Sequence, residues 1–481
     1  WKRRLKRIWR DWVMSADWPL VKLGELVNEI TVGFVGSMTH EYVDKGIPFF
    51  RSKNISEYEI EWNDIRYISP AFHRRLKKSV LRPGDVAIVR TGKPGTACVI
   101  PDSVDEANCS DVVIVRVNNE KLSAHYLCYF MNSIASHQVS SYLVGAVQQH
   151  FNVASAKMIK IPLPTRGEQE KIVKILKALD DKRKINYQIN QTLETMSQAI
   201  FKSWFVDFEP VKAKIAAIEA GEDAESVNRA AMRAISGKSD DELDKMQAEQ
   251  PDEYAQLEGT AELFPAAMVE SEIGLIPEGW GVKKIGDYLN TISKTYPLKT
   301  VSEVIFLNTG DIQNGKVLHS NKSTVETLPG QAKKSIQKDD ILYSEIRPEN
   351  KRFAYVFFDG KEHVVSTKLM VLRPIADIDS KFLYFILTQQ DIIDFLQMMA
   401  ESRSGTFPQI TFNVISKVEF FGPKDNKIIH IFSKSILEPF MQERYLKDEE
   451  NTQLSNIRDT LLPKLLSGEL SVNTIELAEE K

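Results

Sequence analysis

Gln169-Glu-Lys-Ile172-Val-Lys-Ile175-Leu-Lys-Ala-Leu179-Asp-Asp-Lys182-Arg-Lys-Ile-Asn186-Tyr-Gln-Ile189-Asn-Gln-Thr-Leu193-Glu-Thr-Met196-Ser-Gln-Ala-Ile200 is the stretch on which the fold turns. Its apolar residues Ile172, Ile175, Leu179, Ile189, Leu193, Met196 and Ile200 recur at three- and four-residue steps, the spacing of a heptad seam. About 37 helical residues would reach roughly 55 Å. Lys182 and Asn186 interrupt the seam on the same face, and such polar positions fix register at a cost in stability. A helix of that length with one apolar face does not stand alone in water. A second stretch supplies a partner through Phe432, Ile436, Phe440, Leu454, Ile457 and Leu461. Pro439 inside it argues for a kink or a delayed start, and Pro463 and Gly468 mark its exit. Two such helices are expected to bury their faces against each other; the plainer alternative packs each on its own domain.

Outward from these helices the chain repeats itself. Trp18-Pro-Leu-Val-Lys-Leu-Gly-Glu-Leu answers Trp280-Gly-Val-Lys-Lys-Ile-Gly-Asp-Tyr288, and Arg82-Pro-Gly-Asp85 answers Gln337-Lys-Asp-Asp340. Ser110 to Arg116 answers Ser366 to Arg373, and Tyr126 to Phe130 answers Phe382 to Ile386. Phe151-Asn152-Val153 recurs as Phe412-Asn413-Val414, and Leu193 to Ile200 as Leu454 to Leu461. The matches keep one order, with separations of 255 to 262 residues. Each copy opens with short β-branched runs, such as Val86 to Val89 and Val112 to Val117, punctuated by Gly and Pro. A helix near 124–136 interrupts the first set, and the helical period follows. The expected architecture is α+β: two tandem mixed α/β domains separated by two long antiparallel, coiled-coil-like helices in a pseudo-twofold internal duplication.

Composition fits that plan. At 481 residues the chain exceeds one ordinary core. No window approaches ~18 uninterrupted apolar residues, so no membrane partner is expected. Cys98, Cys109 and Cys128 are odd in number and form no CxxC pair, which suits a reducing cytoplasm. The formal charge of −4 is unevenly placed. Residues 206–270 hold 16 Asp/Glu against 6 Lys/Arg, while the first ten residues carry Lys2, Arg3, Arg4, Lys6, Arg7 and Arg10. Residues 1–13 read as a basic extension before Met14, though a phosphate-binding arm or membrane-surface helix has the same composition.

Catalytic patterns are missing. No GxxxxGK[ST], GxGxxG after a strand, HExxH or GxSxG is present, and Asp180-Asp181-Lys182 is expected on a solvated helix face. No catalytic residue and no metal site is assigned. Polar loops are plentiful instead, and base reading needs Arg, Lys, Asn or Gln displayed where they can enter a groove. The first copy offers Arg51, Lys53 and Asn54, then Arg90 and Lys93, then Gln148 and Gln149. The second offers Asn308 and Thr309, then Arg347, Asn350, Lys351 and Arg352, then Gln409. These sets fall in corresponding slots yet differ, which suits two readers of one design. Arg74-Arg75-Leu-Lys77-Lys78 fits phosphates or plain solvation.

Gln191-Thr-Leu-Glu-Thr-Met-Ser-Gln-Ala-Ile-Phe201-Lys-Ser-Trp204-Phe-Val-Asp-Phe208 and Leu454 to Leu470, with Leu461-Leu-Pro-Lys-Leu-Leu-Ser-Gly468, resemble the helical regions of type I restriction-modification specificity subunits. Pro162-Leu-Pro164 leading into Glu168-Gln169-Glu170 is similar to that family's domain-to-helix junction. The resemblance implies a non-catalytic cytoplasmic chain that reads a bipartite target in double-stranded DNA. It implies target-recognition domains at 14–165 and 276–423, conserved helices at 166–206 and 424–470, an acidic connector at 207–275 and a tail at 471–481. The helices would space the readers and dock two methyltransferase subunits, with Ile172, Leu179, Ile189, Leu193, Met196, Ile200, Leu454, Ile457 and Leu461 as seam or docking residues. S-adenosylmethionine, Mg and ATP would be bound by those subunits and by endonuclease-translocase subunits, with no cofactor in this chain. A coiled-coil scaffold that binds protein, or the specificity chain of a related system cleaving on both sides of its site, shares the sequence pattern.

Overall fold

The β-branched run Val112–Val117 becomes the centre of a sheet because both its faces find apolar cover. It lies antiparallel between Val27–Val32 and Val86–Val89, with Ala97–Val99 beyond. The computed structural model describes residues 17–38, 40–142, 150–271, 274–375, 378–403 and 406–472. The basic extension 1–13, Gln148, Gln149 and the tail from 473 lie outside the described residues.

A second sheet of the first copy has the order Tyr42–Val43, Arg66–Ile68, Ile47–Phe50, Ala107–Cys109, Val80–Leu81. Within it Ile47–Phe50 runs parallel to Ala107–Cys109, pairing Phe49 with Asn108. The second copy repeats the first sheet strand for strand, and its second sheet has four strands among the described residues, in the order Lys322–Thr324, Glu303–Leu307, His363–Ser366, Ala332–Ser335. Leu369–Pro374 lies between Leu289–Ile292 and Ile341–Ser344, with Phe353–Tyr355 outside. Glu303–Leu307 runs parallel to His363–Ser366 in its second sheet. In each copy a strand near the start pairs with one near the end: Leu20–Lys22 with Lys160–Pro162, and Trp280–Lys284 with Glu419–Pro423.

The duplication is therefore structural, with one sequence match out of place. The Phe151 N–H donates to the Arg90 carbonyl at 3.1 Å, and the equivalent bond is Ile410 N–H to Glu345 carbonyl at 2.8 Å. Asn152 and Thr411 then stand at the same N-cap position, before Val153–Met158 and Phe412–Ile415. Phe412-Asn413-Val414 thus sits two residues beyond the true counterpart of Phe151-Asn152-Val153.

The first long helix is Arg166–Phe205, 40 residues. The second begins as Lys427–Phe432, widens through a π turn at Ser433–Leu437 and continues as Glu438–Ser467. The wide turn sits ahead of Pro439, where a proline in an unbroken helix would clash with the preceding turn. Pro463 lies inside the helix, and the exit falls at Gly468, whose φ of +72° is the left-handed value glycine takes without cost.

Contacts divide the chain into two units, one of residues up to Lys184 with those from Asn451 onward, the other Ile185–Glu450. A portion of each long helix belongs to each unit. In the first, Ile172 and Leu176 share a core with Leu462, Leu465 and Leu466. In the second, Trp204 and Phe205 share a core with Phe432, Leu437 and Met441. Paired residues descend along one helix as they rise along the other, so the two portions run antiparallel in each unit.

The buried stripe of the first helix is turned by one residue from the expected seam. Ile172, Leu179, Asn186, Leu193 and Ile200 form one edge of it as anticipated, with Ile172 and Asn186 buried and the others half-buried. The other edge is Leu176, Arg183, Asn190, Ser197 and Trp204; Ile175 and Ile189 are half-buried beside it. Met196 and Ile457, both expected on the seam, are 46% and 47% exposed; Leu454 and Leu461 are half-buried and Lys182 is exposed. Polar pairs occupy the turned seam. Asn186 donates to Glu450 at 3.0 Å, Asn190 to Asp448 at 2.8 Å, and Arg444 pairs with Glu194.

The acidic stretch is a folded body. Glu209–Glu219, Ala224–Ser236, Asp240–Glu249 and Pro251–Glu262 are helices, with a core of Ala231, Met232, Leu243, Tyr254 and Ala261. Asp223 caps one helix by accepting the Ser226 N–H at 2.9 Å, and Ser239 with Glu242 forms a reciprocal cap on the next. Residues 209–262 carry 14 Asp/Glu and 6 Lys/Arg, so the carboxylates coat the outside of this small core.

Candidate nucleic-acid interface

In the first domain the strand Ile47–Phe50 runs straight into the short turn Ser52–Asn54. Asn54 closes that turn and is fully buried. Its amide oxygen accepts the Arg51 N–H at 3.1 Å, and its amide nitrogen donates to the carbonyls of Glu61 and Asn63 at 3.0 and 3.2 Å. Every strong valence of the side chain is used internally, so Asn54 holds the turn and does not face a ligand. Lys53 is exposed and Arg51 half-buried. Both engage Asp64, which Arg66 also approaches at 3.4 Å. The Lys53 hydrogen bond, with the surrounding cations, holds the Asp64 carboxyl below the usual carboxylate range.

The second candidate loop joins Val86–Val89 to Ala97–Val99. Gly92 and Gly95 take φ of +87° and +98°, and a Cβ on Gly95 would come within 3.0 Å of Val139. The loop is thus pinned at its far end while Lys93 stays exposed and Arg90 half-buried. One carbonyl brings this loop and the turn together: Asp111 accepts the Ser52 hydroxyl at 2.8 Å and the Arg90 N–H at 3.2 Å. The Phe151 bond to Arg90 delivers the end of the third stretch to the same place, although Gln148 and Gln149 themselves lie outside the described residues.

The second domain makes the same convergence with different chemistry. Its turn Thr309–Asp311 is closed by Asn308, which accepts the Thr309 N–H at 2.8 Å, and by Asp311, which accepts the Asn308 N–H at 2.8 Å. Asn308 and Thr309 are both half-buried. Arg352 donates to the carbonyls of Gly310 and Ile312 at 3.0 and 3.1 Å, so its guanidinium ties the two loops together and is removed from the set of outward-facing readers. Arg347 and Lys351 adopt left-handed φ of +43° and +52° around Pro348–Asn350, and Arg347 and Asn350 are exposed. Gln409 is bridged to Ile346, and the Arg347 N–H donates to the Pro408 carbonyl at 3.1 Å. Where the first domain has Arg90, the second has Glu345, which pairs with Lys368 at 3.5 Å.

Beyond Asn186, the sequence reading missed the polar groups of the helix seam. Asp180 meets Arg458 at 3.0 Å, and Lys316 meets Asp448 at 2.6 Å with its ammonium 5.0 Å from the Tyr187 ring centroid. Their signal was present as Asn and Asp at heptad positions, where an apolar search passes over them. The basic patch Arg74, Arg75, Lys77 and Lys78 is exposed, with Arg75 over the Phe72 ring. Among the described residues no group of three or more His, Cys, Asp or Glu could hold a metal, and no helix is long and apolar enough to cross a membrane. The three cysteines are buried, and burial pushes the Cys98 thiol up to about 12.

The comparisons with known proteins agree with this arrangement. The family model for the type I restriction modification DNA specificity domain matches residues 16–195 and 277–443, one stretch in each copy. The chain is 35% identical over 329 residues to the type I restriction enzyme HindI specificity subunit of Haemophilus influenzae, covering 66% of this chain and 70% of that protein. It is 22% identical over 477 residues to the MjaIX specificity subunit of Methanocaldococcus jannaschii, covering 96% and 95%. The crystal structure of a type I restriction-modification S subunit from M. genitalium shares the fold, with a TM-score of 0.54 at 14% identity over 93% of this chain and 96% of that one. With the duplicated scaffold, the converging loops and a family match in both halves, this chain belongs to the type I restriction-modification DNA specificity family.

Proposed function

We propose that this chain reads a bipartite sequence in double-stranded DNA, one half-site per domain, and positions catalytic partners on it. The observation that carries the reading is the loop convergence. Each copy holds a capped turn beside a cation-bearing loop, through the Asp111 carbonyl in the first and the Arg352 guanidinium in the second, so the chemistry differs between copies on a shared scaffold. Phosphate contacts position a protein on a duplex and base-edge contacts specify the sequence. Arg51, Lys53, Arg90 and Lys93 serve the first half-site in this reading, and Arg347, Asn350 and Lys351 the second.

The paired helices would act as the spacer that sets the unread gap. Apolar side chains left outside their seam, Ile185, Met196 and Ile457, are suited to cover by partner helices. Those partners would be two methyltransferase subunits that bind S-adenosylmethionine, joined by endonuclease-translocase subunits that use ATP and Mg. The test is a matched four-residue deletion or insertion, between Asp180 and Gln191 in one helix and between Asp448 and Arg458 in the other. Sequencing of modified adenines should then report a changed gap between unchanged half-sites. An unchanged gap would remove the spacer role. Loss of sequence preference in neither half after Arg90→Ala and Arg347→Ala together would remove the DNA-reading role.

A further inference from the structure

Directly after the first domain's turn, residues 55–60 form a tight hairpin, with Ile55 bridged to Ile60 and the Ser56 N–H donating to Glu59 at 3.0 Å. Tyr58 stands at its tip with φ of +71°. A bulky aromatic residue takes that left-handed conformation rarely, and it persists where surrounding contacts over-determine it. The contacts here are specific. The Tyr58 ring packs on Tyr129 at 5.0 Å between centroids, and the Arg458 guanidinium lies 5.1 Å from its centroid. Arg458 also donates to Asp180 at 3.0 Å, and Asp180 accepts the Tyr129 hydroxyl at 2.8 Å and approaches Arg183 at 3.2 Å. Arg458 and Asp180 are largely buried, at 11% and 18% side-chain exposure. Asp180 belongs to the first long helix and Arg458 to the second, so the second helix touches the hairpin tip directly and the first steadies it through Arg458 and Tyr129.

The base of the hairpin grips the turn. The Glu61 N–H donates to the Asn54 carbonyl at 2.9 Å, the Asn54 amide returns the bond to Glu61, and Asp64 holds Arg51 and Lys53. A continuous path of contacts therefore runs from the helix pair through Tyr58 to Arg51–Asn54, buried at the helix end and open to solvent at Asp64 and Lys53. We infer that Tyr58, clamped by Arg458 and Tyr129, which Asp180 holds in place, is a positioning residue for sequence reading by the first domain. It touches no DNA in this scheme; it fixes where the Arg51–Asn54 turn stands relative to the helices of its own unit. The inference rests on the proposed reading of that turn as a DNA contact.

The full chain is incubated with a randomised pool of DNA duplexes, with and without a coexpressed methyltransferase subunit, and the bound fraction is sequenced. The wild type should return two separated motifs, and the one that changes in Arg90→Ala is the first domain's. Tyr58→Ala and Arg458→Ala should lose about tenfold discrimination in that motif, the worth of a mismatched base pair, while the other motif keeps its strength. General destabilisation would weaken both motifs together. Tyr58→Phe, which keeps the ring, should restore the wild-type preference. Arg458→Lys keeps the charge beside Asp180 but not the flat stack, and it decides the matter if the alanine variants do not fold. First-motif discrimination held within about twofold in Arg458→Lys and in a folded Tyr58→Ala would overturn the inference. A wild-type chain that selects no motif in either arm would instead overturn the DNA-reading proposal on which it stands.

Discussion

Arg373 clasps Asp340 through two guanidinium nitrogens, at 2.7 and 2.8 Å, with the carboxylate entirely buried. The same two positions in the first copy are Arg116 and Asp85, but there a single approach of 3.5 Å replaces the fork, and Arg116 divides itself among Asp85, Glu29 and the Val80 carbonyl. In both copies the carboxylate also accepts a backbone N–H three residues earlier, from Gln337 and Arg82. Removing one member of a buried pair strands the other, which costs about 3–5 kcal/mol. Arg373→Ala is expected to fall in that range and Arg116→Ala well below it, because Asp85 gets less from its arginine. Denaturant titration of both variants checks the order, and equal losses would contradict it.

The polar seam gives a second expectation. Asn186→Leu should lose about 1 kcal/mol, the worth of its hydrogen bond to the half-buried Glu450, which keeps Lys447 as a partner at 3.5 Å. Combining it with Glu450→Leu should recover most of that loss, since two apolar partners need no hydrogen bond. A double-mutant cycle by chemical denaturation measures the coupling. Strictly additive losses would show that the 3.0 Å contact contributes nothing.

His363 predicts a pH effect. Burial, the largest cause, holds its imidazole below the usual value against the opposing pull of Glu362 and Asp359, and its ring lies 4.3 Å from Phe358. A folded-state value below the unfolded one of about 6.5 means the stabilising contribution is complete above that pH. It is lost as pH falls through the depressed folded-state value, because the unfolded chain takes up the proton first. Thermal melts of His363→Gln should show a flatter decline between neutral pH and about pH 5 than the wild type. Parallel profiles would remove His363 from the account.

The loop cations make a salt-dependence prediction within the proposed function. Lys93→Ala should weaken DNA binding evenly across sequences and reduce the slope of log K against log salt by about 1. Arg347→Ala should cost about 1–3 kcal/mol of discrimination confined to one half-site. Filter binding over a salt series, on duplexes altered in one half at a time, separates the two outcomes.

The repeat, the long helices and the loop positions were legible because they rest on signals a single chain displays. Trp18 and Trp280, Asp85 and Asp340, and Ser110 and Ser366 mark strands and turns whose chemistry allows few substitutes. The helix seam was legible only on one edge. Leu193 and Ile200 advertise themselves, but their partners Asn190 and Ser197 are polar, so an apolar search placed Ile189 and Met196 there instead. Phe412-Asn413-Val414 misled for a related reason: the position equivalent to Asn152 is Thr411, whose side chain makes no capping hydrogen bond, so the residue type is not kept there. The fates of Asn54 and Arg352 were illegible altogether. An amide or guanidinium reads as a potential base contact until the fold shows which carbonyls it serves.

The capped turns limit how far each half of this protein can change. Asn54 and Asp311 lock the closing position, the Ser52 hydroxyl is tied to the Asp111 carbonyl and Asn308 caps the Thr309 N–H, so under the proposed function altered readout at these tips would come chiefly through Arg51 and Lys53, or Thr309 and Gly310. A library randomised at those four codons would sample most of the chemistry that the two tips can display while leaving the architecture beneath them untouched.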